Sequence, residues 1–282
     1  FTSLLLPPGV DRTVDGRLRE VLALPECRGA CVPDDRWLDL TGTQYLLLDR
    51  VFDLVHEGVF YDIGLRFAAN TAIANPTDFV ADAAHILVDC GDAACNPPDM
   101  RLGDETLTLI DDTVVLDGLT LLHYQAEAVT RTSDIIIDGA DDLQIHAVSL
   151  VDTRTGDFVQ LAPTGWQRVF SGDVKIYENL DVLPRAFIVQ SAQVFDGGAS
   201  GTEAALAAMA DPNFSPAAMV TLNSDDLVNG VADGGGIAQA TIISYTPTQI
   251  EIEVSTDANG WLVLTDAFYS SWSAQTGDGT DL

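Results

Sequence analysis

Between residues 59 and 161 the chain is cut into short apolar or alternating runs, separated by Gly, Asp and Pro. Runs at 60–67, 84–89, 106–110, 113–116, 119–124, 126–131, 134–138, 143–150 and 158–161 have the length and side-chain pattern of strands. Asp111-Asp112, Asp117-Gly118, Asp138-Gly139 and Thr155-Gly156 supply turn chemistry between them. Nine short strands in about 100 residues predict a β-sandwich of jelly-roll type. In the run 141–152, Leu143, Ile145, Ala147, Ser149 and Val151 alternate with Gln144, His146, Val148, Leu150 and Asp152. One face therefore begins polar and ends apolar, as in a strand that starts at a rim and enters the core.

The flanks read differently. Residues 15–24 predict a short helix stopped at Pro25, and Pro33 to Leu40 a second one closed by Gly42. The apolar run 43–49 reads as a buried strand. Beyond Trp166, strands are expected at 174–178 and 186–189, on either side of a turn at 179–185. The clearest helix is 200–210, with a capping box of Ser200 and Glu203 and a stop at Asp211-Pro212. An acidic, glycine-rich loop at 223–236 precedes strands at 238–245, 249–255 and 261–265. In the second of these, Ile250, Ile252 and Val254 alternate with Glu251 and Glu253.

Charge narrows the partners. Thirteen basic and 43 acidic residues give −30 over 282 residues, and Lys175 is the only lysine. So acidic a chain repels phosphate backbones and anionic lipid surfaces, which argues against nucleic-acid binding and direct membrane insertion. A hydrophobic fraction of 47% is enough to build a core, and no apolar run reaches membrane-spanning length.

Cys27 and Cys31, and Cys90 and Cys95, form two close pairs. Local disulfides Cys27–Cys31 and Cys90–Cys95 fit these spacings best, with zinc ligation or free thiols as the alternatives. Disulfides imply an oxidising, extracytoplasmic setting. The chain starts at Phe1 without a signal-like segment, so the export signal is expected elsewhere in a longer protein.

The candidate chemistry is thin. His56, His85, His123 and His146 match no ligand spacing and read as strand-face residues. The adjacent acids Asp34-Asp35, Asp111-Asp112, Asp141-Asp142 and Asp225-Asp226 read as solvated surface, not as a glycosidase pair. No D-x-D-x-D-G loop occurs, so a structural calcium ion in an Asp-rich turn is the one cofactor worth naming; otherwise none is expected. No G-x-S-x-G, P-loop or G-x-G-x-x-G is present. Trp37, Trp166, Trp261, Trp272, Tyr61 and Tyr124 are the aromatics able to stack on sugars, although core packing is the ordinary role of most. Glu178 and Arg185 flank a turn, at a spacing that allows an ion pair across it.

The segment G-D-V-K-I-Y-E-N-L-D-V-L-P-R-A-F-I-V (172–189) resembles the "vYeN…lPRAf.V" block of YfhO-like bacterial integral membrane proteins. L-A-A-M-A-D-P-N-F-S-P-A-A-M-V-T-L (206–222) and the run 240–274, with its Y-x-P and Y-x-x-W-x-A, continue that pattern. W-L-D-L-T-G-T-Q-Y-L-L-L-D (37–49) resembles the family's short helix and strand. The resemblance runs through these four blocks in the family's order. It leaves out the strand-rich region, and the chain stops at Leu282, where the family continues into further strands. The resemblance implies a structural role for the matched positions Tyr177, Glu178, Asn179, Pro184, Arg185, Tyr245, Pro247 and Trp272.

The strand pattern predicts a mainly β chain with a jelly-roll sandwich at 58–163, and the resemblance implies that it is inserted into a small α+β domain (1–57 and 164–236), followed by a partial C-terminal sheet (237–282). Residues 45–48 should then pair with strands from 174–194, with the 200–210 helix packed against that sheet. The resemblance also implies a parent of the GT-C glycosyltransferase kind, anchored in the membrane. This chain would be its non-catalytic extracytoplasmic region, contacting or presenting a glycan or cell-envelope polymer beside the membrane portion of the same parent. The alternatives are a secreted carbohydrate-binding module and, behind it, a glycoside hydrolase. The chain alone is expected to be no enzyme, since the family's sugar-transfer residues belong to the membrane part.

Overall fold

The computed structural model describes residues 38–39, 41–49, 53–67, 71–74, 78–90, 95–116, 118–131, 134–139, 143–211, 213–224, 238–266 and 271–281. The chain is mainly β, built from several mostly antiparallel sheets. Its described residues divide into two compact units, 44–181 and 38–43 with 182–282. The helix expected at 15–24 and the Cys27–Cys31 pair lie outside the described residues.

The first unit begins with β1 (Tyr45–Asp49), β2 (Leu54–His56), β3 (Val59–Tyr61), β4 (Thr71–Ala74) and β5 (Val80–Asp89). It continues with β6 (Asp99–Leu102), β7 (Glu105–Thr106), β8 (Thr108–Leu116), β9 (Leu119–Arg131) and β10 (Asp134–Asp138). The last four strands are β11 (Gln144–Asp152), β12 (Asp157–Gln160), β13 (Trp166–Ser171) and β14 (Val174–Asn179). A five-stranded sheet of order β12-β11-β5-β9-β8 and a four-stranded one of order β4-β10-β6-β7 share one apolar core. Ile86, Val88, Leu122 and Val148 of the larger sheet meet Ile73, Met100, Leu102, Ile135 and Ile137 of the smaller. The larger sheet is buried on its second face too, where Ala83, Leu87, Leu121 and Ala147 pack with Val59, Tyr61 and Ile63.

Two-sided burial overrides the alternation read in 141–152. β11 is central, and every residue from Ile145 to Asp152 is buried. A bulge between Ile145 and Ala147 shifts the register around His146, so Ile145 joins one core and Ala147 the other. The Asp111-Asp112 turn expected between two strands is instead part of the continuous strand β8. β8 lies at the sheet edge, where bulges at 109/111 and 114/116 and exposed acids suit a strand that must not pair further. Likewise the strands read at 119–124 and 126–131 are one strand, β9.

β1 pairs with β14, Tyr45 opposite Glu178, and β14 with β13. This joins the two sequence blocks on either side of the strand-rich region in one sheet. The β13–β14 hairpin belongs to the same compact unit, so the division falls at 181/182, one hairpin beyond the sequence boundary at 163/164. The inward residues Lys175, Tyr177 and Asn179 alternate along β14. A Cβ on Gly64 would lie 3.0 Å from the Tyr177 hydroxyl oxygen and 3.1 Å from Leu48, so the segment after β3 passes tightly under this sheet.

The second unit holds β15 (Ala186–Val189), β16 (Ser191–Phe195), the helix α1 (Ala199–Met209), β17 (Met219–Asn223), β18 (Ala238–Thr246), β19 (Gln249–Thr256) and β20 (Trp261–Leu264). Across the turn at 179–185, β15 does not pair with β14; it pairs antiparallel with β20. β16 and β17 are parallel, and α1 makes the crossover that such a pair requires. The helix packs on β16 and β17. α1 starts one residue earlier than read, with Gly198 as N-cap and no side-chain capping bond, so Ser200 and Glu203 form no capping box. Residues 38–43 close as expected: Thr43 N–H donates to Leu38 O at 2.8 Å, and Gly42 takes a φ of 63°.

Candidate functional site

A candidate ligand groove lies at the tip of the β18–β19 hairpin. Thr246 and Gln249 close the turn with reciprocal bonds: the Thr246 hydroxyl donates to Gln249 O at 2.9 Å, and Gln249 N–H donates back to Oγ1 at 3.0 Å. Against this turn runs the segment 271–275, and together they line a groove of about 500 Å³. Pro247 and Ile250 are its apolar lining, Thr248, Gln249, Ser271, Ser273 and Gln275 its polar groups, and Trp272 its aromatic. Trp272 is 37% exposed. The volume falls within the range of about 300–1,000 Å³ usual for small-molecule sites. None of these lining side chains is charged, in a chain of net charge −30.

Of the aromatics considered for stacking, Tyr61, Tyr124 and Trp166 are buried, and Trp261 is partly buried in β20. Trp37 lies outside the described residues. Tyr124 and Tyr61 use their hydroxyls internally, Tyr124 donating to Pro98 O and Tyr61 bonding His85 Nδ1, both at 2.7 Å.

The matched positions of the resemblance fall into separate groups. Pro247 and Trp272 share the groove. Arg185 and Tyr245 meet nearby in the same unit: the guanidinium donates to the Tyr245 hydroxyl at 2.9 Å and lies 4.4 Å from its ring centroid. Tyr245 in turn donates to Asp266 at 2.9 Å, and Arg185 pairs with Asp266. Arg185 thus finds its partner in Asp266, and Glu178 accepts from the Tyr45 hydroxyl at 3.3 Å. Asn179 closes the end of β14, its Oδ1 accepting from Asp181 N–H at 3.0 Å, and Pro184 is exposed.

Tyr177 belongs to a buried charge cluster that local sequence did not reveal. Lys175, fully buried, donates to Asp53 Oδ1 at 2.5 Å and Ile63 O at 2.8 Å, and its Nζ lies 2.8 Å from Asp62 Oδ1. Arg168 donates to Asp62 Oδ2 at 2.8 Å. Gln160 fixes the Asp62 backbone, its Oε1 accepting at 2.6 Å and its Nε2 donating at 2.9 Å. Burial, then the nearby Asp62 charge, pushes the Tyr177 hydroxyl well above its ordinary pKa, so it stays a donor.

A second polar group crosses the larger sheet. Register aligns Gln160, Ser149, His85, His123 and Asp111 on five successive strands. The His85 and His123 rings stack at 4.2 Å between centroids, with His56 6.4 Å from His123. Burial, then the two neighbouring imidazoles, pushes His85 down to about 4. Burial also lowers His123, against the opposing pull of Asp111 and Glu57. Burial likewise lowers His146, in the β11 bulge. Among the described residues, no group of three or more His, Cys, Asp or Glu side chains is arranged to hold a metal ion. Asp111 and Asp112 are exposed on β8; the other adjacent acid pairs lie outside the described residues.

Cys90 and Cys95 are joined as a disulfide, with Cα atoms 5.2 Å apart. Both pack against the sandwich core. Among the described residues, no helix is long and apolar enough to cross a membrane. No protein-family model, curated protein or solved structure matches the chain.

Proposed function

We propose that this chain is a non-catalytic, extracytoplasmic β region that contacts a glycan or cell-envelope polymer through the groove beside Trp272, as part of a membrane-anchored parent of YfhO-like type. The observation that carries the glycan reading is a groove whose described lining residues are uncharged, with an exposed tryptophan, on a strongly acidic chain. A sugar ring offers an apolar face of C–H groups and a rim of hydroxyls. Trp272 can stack on the first, and the amides of Gln249 and Gln275 with the hydroxyls of Thr248, Ser271 and Ser273 can bond the second. Among the described lining residues none is charged, which suits a neutral ligand, because none of them must be neutralised or stripped of tightly held water. The Cys90–Cys95 disulfide supports an oxidising compartment. The ordered sequence blocks support the membrane-anchored parent, and the reading frame upstream of Phe1 tests it directly: a run of transmembrane helices is expected there.

The glycan reading is tested on an oligosaccharide array that includes chito-, cello- and manno-oligosaccharides. The wild-type chain should bind at least one class without cleaving it, and Trp272→Ala should lose that signal. Binding that survives Trp272→Ala, or turnover of the bound sugar, contradicts the reading.

A further inference from the structure

The chain's one lysine sits where few lysines sit, at 0% exposure between two buried carboxylates. Its Nζ is 2.5 Å from Asp53 Oδ1 and 2.8 Å from Asp62 Oδ1, and both acids are nearly inaccessible, with side chains 8% and 0% exposed. Asp62 Oδ1 lies against the amine as its second ion-pair partner. Asp62 itself is clamped, by Arg168 on its other oxygen and by Gln160 on its backbone. An amine, a carboxyl group in contact with it and a second, fixed carboxyl group are what an amide condensation needs, held together without a search through solvent.

We propose that Lys175 and Asp53 condense to an intramolecular isopeptide bond, with Asp62 as the proton carrier. A proton passes from the Lys175 ammonium to the Asp53 carboxylate along their hydrogen bond, leaving a neutral amine and a carboxylic acid. The Nζ lone pair attacks Cγ of Asp53, forming the C–N bond and a tetrahedral centre. The Asp62 carboxylate takes a proton from the nitrogen and delivers it to a departing hydroxyl. The C–O bond breaks, one water leaves, and Asp62 is again a carboxylate. No oxidant, metal or activated donor is required. Condensation also removes one opposite-charge pair from a buried site, where desolvation weighs heavily against charges. What remains is Asp62 paired with Arg168, and an amide N–H beside the Ile63 carbonyl that Nζ already contacts. The product bridges a sequence separation of 122 residues, tying the start of the β2–β3 hairpin to the central strand of the sheet formed by β1, β14 and β13.

Intact-mass measurement on the full, reduced and denatured chain tests this, followed by fragmentation of a proteolytic digest. The wild type should be lighter than its sequence by one water, and one branched peptide pair should join the stretches containing Asp53 and Lys175. A dehydrated mass without that pair, or an undiminished mass, overturns the proposal. Asp53→Asn should give the same linked product by loss of ammonia, and Asp53→Ala no linkage. Asp62→Asn that keeps the wild-type circular dichroism but stays unlinked supports the proton-carrier role. Linkage of Asp62→Asn at the wild-type rate overturns that role.

Discussion

The stacked pair of His85 and His123 makes the sandwich sensitive to acid in a way that can be worked out. His85 is held neutral in the fold, with a pKa lowered to about 4 from an ordinary 6.5. An unfolded chain therefore binds a proton at this site as pH falls through 6.5, while the folded chain resists until about 4. Stability is unaffected above 6.5, is lost progressively between 6.5 and 4, and levels off below. At 1.36 kcal/mol per unit, the loss by pH 4 is about 3 kcal/mol. Around the pair, Tyr61 and Ser149 lie beside His85, His56 acts on both rings, and Asp111 and Glu57 act on His123. The neutral Nε2–H tautomer lets Nδ1 accept the Tyr61 hydroxyl, and a second imidazolium stacked at 4.2 Å would repel the first. Acid also protonates surface carboxylates and relieves the repulsion of a −30 chain, so the signal is read as a difference. Urea unfolding of wild type and His85→Gln at pH 7 and pH 4 gives it: wild type should lose about 3 kcal/mol relative to the variant. Parallel pH profiles for the two proteins would refute the reasoning.

Gly201→Ala should destabilise the second unit by about 1–3 kcal/mol or more, because the added Cβ would overlap the Asp196 carbonyl oxygen; an unchanged urea midpoint would show that the helix can shift freely. Cys90→Ser with Cys95→Ser should cost about 2 kcal/mol, the value for closing so short a loop, and non-reducing peptide mapping of the wild type should recover Cys90 linked to Cys95. With −30 charges, the melting temperature should rise between low salt and about 1 M sodium chloride as repulsion is screened, and a flat response would leave the acidity without a role in stability.

What could be read from sequence was what local pattern decides. The β18–β19 hairpin and β10 emerge from alternation and turn chemistry within a residue or two. The pairing of β1 with β14 followed from the order of the blocks. Edge bulges hid β8, since an Asp-Asp pair in a strand looks like a turn until the sheet edge explains it. The histidine row was illegible because register between distant strands creates it, and no spacing along the chain encodes that. Lys175 meets Asp53 across 122 residues for the same reason. The one available signal was a lone lysine in a strand whose alternate positions are otherwise buried. Trp272 could be named beforehand as a stacking aromatic, but its groove partners around Gln249 and Gln275 come together only in three dimensions.

The most direct test of the glycan reading is the indole N–H resonance of Trp272 in a proton–nitrogen correlation spectrum, assigned by its disappearance in Trp272→Ala. Titrating in an oligosaccharide that binds on the array should shift this resonance saturably, together with the side-chain amides of Gln249 and Gln275. The resonances of buried Trp166 should stay in place. Saturable binding that moves other residues and leaves Trp272 unmoved would contradict the account.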